Sequence, residues 1–118
     1  MRHATNDRDS NSTKVDQRFE KVVAAYATDK HVKKGRSFSS ENVLSVNGKI
    51  FAMLYKGTFV LKLPAERVDQ LVSLGLGVNW GPSKGRTMKE WIAIESERAS
   101  WLELSREAYA FVKAGTST

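Results

Sequence analysis

A chain of 118 residues with 41% apolar and 27% charged side chains has the length and balance of one globular domain, which excludes a fibrous or wholly disordered protein. It contains no cysteine, so disulfides, thiolate nucleophiles and thiolate metal sites are excluded, and no run approaches the roughly 18 apolar residues of a membrane-spanning helix. The net charge of +6 is concentrated: Lys30, Lys33, Lys34 and Arg36, with Lys84, Arg86 and Lys89, form two short segments free of acids, a pattern suited to a polyanion if folding brings the segments together.

Residues 1–13, MRHATNDRDSNST, are almost wholly polar and offer nothing to offset ordering entropy. They read as a disordered tail before a single domain over residues 14–115. The stretch also lacks the apolar centre of a secretory signal, so a cytoplasmic location is expected. Thr13 can cap a helix whose apolar residues Val15, Phe19, Val22, Val23 and Tyr26 recur at helical spacing, ending near Asp29. The basic run and Gly35 then read as a break.

Three strands follow, Val43 to Val46, Ile50 to Tyr55 and Thr58 to Leu63, separated by Asn47-Gly48 and Lys56-Gly57. Asn-Gly is the strongest short hairpin signal because both residues accept the positive φ of a type I′ turn. In the middle strand Ile50, Ala52 and Leu54 point one way and Phe51, Met53 and Tyr55 the other, so both faces need cover. Pro64 opens a short helix with Val68, Leu71 and Val72 on its stripe, ended by Gly75. Gly75 to Gly85 reads as a loop and Met88 to Ile94 as a further strand. Ser100 with Glu103 forms a capping-box pattern on a last helix carrying Trp101, Leu104, Ala108, Phe111 and Val112. The fold class is therefore α+β, an antiparallel β-meander sheet with flanking helices.

The short motifs have bland readings. Gly81-Pro82-Ser83-Lys84-Gly85 matches G-x-S-x-G, but both histidines, His3 and His31, precede it, whereas the nucleophile elbow needs a histidine base after it. Gly75-Leu76-Gly77 lacks the third glycine of a dinucleotide fingerprint, since position 80 is Trp80. Two histidines without a carboxylate cluster give no metal-ligand spacing, and Glu95 and Glu97 suit a helix start. No catalytic residue, metal or cofactor is expected. Trp80, Trp91 and Trp101 read as packing residues.

Taken in order, V-N-G-K-I-F-A-M-L (Val46 to Leu54), L-K-L-P-A-E-R-V-D-Q-L (Leu61 to Leu71), M-K-E-W (Met88 to Trp91) and the terminal W-L-E-L-S-R-E-A-Y-A-F-V resemble the TfoX (Sxy) N-terminal-domain family, related in architecture to YjbR-like proteins. Ser37-Phe38-Ser39 stands where that family usually carries Met-Phe-Gly. The resemblance implies a curved antiparallel sheet with flanking helices, in a stand-alone version of the domain. It also marks Lys49, Lys62, Lys89 and Trp91 as the positions matching the family's motifs.

The resulting expectation is a non-catalytic regulatory or protein-interaction module, linked to transcription through the resemblance, with a protein partner or a second copy as its target. The homodimer follows from the doubly apolar middle strand, which three helices would leave partly uncovered. One alternative is a nucleic-acid-binding module using Lys33, Lys34, Arg36, Lys84 and Arg86 on one electropositive face. The other is a small-ligand-binding domain around Lys49, Lys62, Lys89 and Trp91.

Overall fold

The computed structural model describes residues 6–37, 40–83 and 86–116, with the backbone alone at 6–13, 36–37, 40–41, 82–83 and 86–88. The elements run α1 (Asn6–Ala25), β1 (Val32–Ser37), β2 (Ser40–Val46), β3 (Lys49–Tyr55), β4 (Thr58–Lys62), α2 (Ala65–Ser73), β5 (Gly77–Ser83), β6 (Arg86–Ile94) and α3 (Trp101–Thr116). The strands form one antiparallel sheet in the order β1-β2-β3-β4-β6-β5. The fold is thus α+β, with helices packed on a meander-like sheet.

Local chemistry sets these boundaries. Asn47 and Gly48 take φ of 51° and 85°, and Lys56 and Gly57 take 49° and 80°, the doubly left-handed turns that close two-residue hairpins. Helix α2 ends as its glycine requires: Gly75, at φ 76°, donates its N–H to the Val72 carbonyl while Leu76 donates to that of Leu71, a Schellman motif. At the start of α3 the Ser100 hydroxyl accepts the Glu103 N–H at 3.2 Å, as the capping pattern anticipates.

The structure departs from the sequence expectations at several places. The backbone of residues 6–13, read as part of a disordered tail, continues α1; a helix nucleated on the apolar stripe propagates at little cost. The basic run read as a break is strand β1, and much of the glycine-rich stretch read as a loop is strand β5. In the middle strand the faces also differ from simple alternation. Leu44 pairs with Ala52 but Ser45 pairs with Ile50, leaving Phe51 as the extra residue of a β-bulge. Phe51 therefore joins Ala52 and Leu54 on one face, and Ile50 joins Met53 and Tyr55 on the other.

One face carries all three helices. Phe19 and Val22 of α1, Tyr26 just past its end, Val68 and Leu71 of α2, and Trp101, Leu104, Ala108 and Val112 of α3 close over Leu44, Phe51, Ala52, Phe59, Leu61 and Ile92. The Phe59 ring stacks on Trp101 at 4.3 Å and meets Phe19 edge-on at 6.1 Å. The buried Ser105 hydroxyl bonds the Tyr26 hydroxyl at 2.9 Å, and burial raises the Tyr26 pKa. Two polar ties fasten the helices: Arg67 makes a bidentate pair with Glu107, and the Tyr109 hydroxyl donates to Asp29 at 2.5 Å.

The opposite face bears a second, smaller core. Register aligns Gly35, Val43, Met53, Val60, Ala93 and Val78 in one row across the sheet. Val43, Met53, Val60, Trp91 and Ala93 are buried, with Ile50, Tyr55 and Trp80 packed on them and no helical residue among them. The cover comes from curling. Strands β4 and β6 separate Tyr55 from Trp80, a spacing of about 14 Å in a flat sheet, yet their ring centroids are 5.5 Å apart. An irregularity between Trp80↔Met88 and Asn79↔Ile92 supplies the bend. Met53 and Val60 are thereby fully buried within a single chain. The middle strand is thus covered at Met53 without a second copy, whereas Val78, in the same row, remains 44% exposed.

Candidate anion-binding end of the sheet

Register also gathers cations. From the row through Met53 and Val60 toward the Asn47-Gly48 turn, β1 reaches Lys33, β3 begins at Lys49, β4 ends at Lys62 and β6 passes through Trp91 to Lys89. Four lysines from four strands thus sit at one end of the sheet. Lys33, Lys49 and Lys89 are exposed and Lys62 is half-buried.

Two adjoining clefts open here. One, of about 290 Å³, is bounded by Lys49, Lys62, Glu90 and the C-terminal turn of α3 at Phe111, Val112, Gly115 and Thr116. The other, of about 400 Å³, is bounded by Lys62, Ala65, Lys89, Glu90 and Trp91. Lys62 and Glu90 belong to both. The Lys62 ammonium sits 5.9 Å from the centre of the Trp91 ring, which holds the stem against an apolar surface while the charge stays near water. The Asn47 side chain donates to the Thr116 hydroxyl at 2.9 Å, fixing the end of α3 beside the clefts.

Part of this charge is matched locally. Lysines near a helix C-terminus complement its partial negative charge, and Glu90 neutralises one more. Set against four lysines, these leave roughly +2.5 at this end. The surplus is available to an anion.

The four positions marked by the resemblance, Lys49, Lys62, Lys89 and Trp91, are therefore neighbours in space. Of the five marked by charge, two have described side chains, Lys33 and Lys34. Lys33 joins the basic end and Lys34 is exposed on the same outer strand, while Arg36 and Arg86 lie on β1 and β6 with β2, β3 and β4 between them. Lys84 and the side chains of Arg36 and Arg86 fall outside the described residues. Sequence reasoning passed over Trp80 and Tyr55 as site residues. Trp80 is half-buried, and its centroid is 5.7 Å from that of Trp91.

The other motifs are explained by structure. Ser83 ends β5 at a strand-to-strand connection, unlike the strand-to-helix elbow of a serine nucleophile. Gly77 is glycine because a Cβ there would stand 2.4 Å from the Ala93 carbonyl oxygen. Among the described residues no group of three or more histidine or acidic side chains is placed to hold a metal ion, and no helix is long and apolar enough to cross a membrane. A larger concavity, about 590 Å³, runs along the outer side of α2 between Glu66, Asp69, Gln70, Ser73 and Leu74; it presents carboxylates and no cation. No protein-family model, no curated protein and no solved structure matches this chain.

Proposed function

We propose that this domain is a non-catalytic binding module whose ligand is the phosphate backbone of a nucleic acid, held at the basic end of the sheet. The observation that carries the reading is the gathering of Lys49, Lys62 and Lys89 from three strands around two clefts that share Lys62 and Glu90, with Lys33 of β1 at the same end of the sheet. The chain's overall charge of +6 favours the encounter. The transcription-associated role implied by the TfoX-like motifs accords with such a ligand.

The test is a salt series with labelled mixed-sequence oligonucleotides. Four phosphate contacts predict a slope of log affinity against log salt of about −2.8 on single strands, hence about a fifty-fold loss between 50 and 200 mM salt. The double variant Lys62→Gln, Lys89→Gln should make the slope shallower by about 1.4 with its melting temperature nearly unchanged. Absence of binding at low salt refutes the reading.

A protein partner is the second reading, on the separate ground that Leu74 and Val78 are exposed at 61% and 44%. Leu74 borders the acidic concavity of α2, which suits a basic, apolar peptide segment. Leu74→Ser abolishing capture of a defined partner, with oligonucleotide binding intact, would assign that surface.

A further inference from the structure

We infer that the nucleic acid taken at the basic end is single-stranded, with one base stacked on Trp80; the inference rests on the phosphate-binding reading above.

The rings Tyr55, Trp80 and Trp91 form a contiguous row, with centroids 5.5 Å apart between Tyr55 and Trp80 and 5.7 Å between Trp80 and Trp91. They differ in exposure. Trp91 is 7% exposed, too enclosed to receive a base. Trp80 packs on the second core yet is only half-buried. It also lies on β5, an edge strand of the sheet.

Its position joins the ring to the cations. Trp80 pairs with Met88, the residue before Lys89, and Trp91 links it to Lys62, 5.9 Å from the Trp91 centroid. The two distances together place the Lys62 ammonium within about 12 Å of the Trp80 ring centre, so a phosphate on Lys62 and a base on Trp80 can belong to one short stretch of strand. In a duplex the bases are stacked on one another and present only phosphates to such a surface. An unpaired base can leave its neighbours and stack on an aromatic ring beside a basic groove, which is how sequence-tolerant single-strand binding is built.

The experiment compares labelled single-stranded and duplex oligonucleotides of equal phosphate number, by fluorescence anisotropy at low and raised salt. Wild type, Trp80→Ala and Trp80→Phe are measured, with circular dichroism confirming that each is folded. The inference expects wild type to favour the single strand. Trp80→Ala should weaken single-strand binding about ten-fold at unchanged salt slope, while Trp80→Phe, which keeps a ring, should retain most of the affinity. Equal binding of both forms by wild type overturns the inference without needing a variant, and leaves the phosphate reading standing. A folded Trp80→Ala that binds single strands normally does the same. Failure of wild type to bind either form at low salt refutes the proposed function and the inference with it.

Discussion

Replacing Gly77 by alanine should destabilise the domain, because the space its Cβ needs is held by backbone. An added Cβ would stand 2.4 Å from the Ala93 carbonyl oxygen and 3.1 Å from two atoms of Ile92, and real Cβ atoms do not approach within 3.0 Å. Strand β5 must retreat by about 0.6 Å or more. The Ile92 side chain can give, but Ala93 is fixed by its pairing with Val60. Overpacking of this kind costs about 1–3 kcal/mol, offset by about 0.4–1 kcal/mol from the reduced freedom of the unfolded chain. The net loss is about 1–2 kcal/mol. For 118 residues the unfolding entropy is roughly 0.25 kcal/mol/K, so the melting temperature should fall by about 4–8 °C. Gly35→Ala is the control: no atom lies within 4 Å of the point its Cβ would occupy and its φ is not positive, so it should be neutral or raise the melting temperature by about 2–4 °C. Thermal unfolding followed by circular dichroism reads both. A Gly77→Ala protein as stable as wild type would refute the close approach of β5 to β6.

Ser105→Ala removes the buried partner of the Tyr26 hydroxyl and should cost about 1–3 kcal/mol in urea unfolding, whereas a Tyr26→Phe, Ser105→Ala pair should recover part of it. Lys56→Asn relieves a lysine at φ 49° and should add about 0.5–1 kcal/mol, because asparagine tolerates that conformation. The Tyr109 hydroxyl, and then the His31 N–H, hold the Asp29 carboxyl below its ordinary pKa. Its contribution to stability is present above the ordinary value near 4 and is lost as pH falls through the lowered one, so Asp29→Asn should flatten the acid limb of a stability profile measured below about pH 4.

The legible parts of this fold were those with local signals. Two left-handed turns, a helix-ending glycine and a serine cap placed β3, β4, α2 and the start of α3. The strands that escaped were β1 and β5, the two edges of the sheet. Edge strands are protected from pairing with other chains by charge, glycine and proline. Lys33, Lys34, Gly35, Gly81 and Pro82 therefore look like loop residues because they occupy edges. The bulge at Phe51 left no trace in the sequence, since an apolar run through both faces reads the same with or without an extra residue. The helical reach of residues 6–13 escaped for the opposite reason, as their composition lacks the periodicity that propagation does not require.

At the site, the sequence marked residues and the sheet decided which are neighbours. Lys49, Lys62, Lys89 and Trp91 lie far apart in the chain, and only the antiparallel register makes them one end of one surface. A charge run counts neighbours along the chain, while a field sums neighbours in space. Trp80 was hidden in a glycine-rich stretch, where the alternation of Val78 and Trp80 was the one signal of a strand. That strand closes the second core without a helix, so its ring serves packing and, on the reading above, binding together. The exposed lysines at strand ends carry no such double duty. Charge substitutions at Lys33 or Lys89 should consequently report on binding alone, whereas any change at Trp80 must be separated from its effect on the core beneath it.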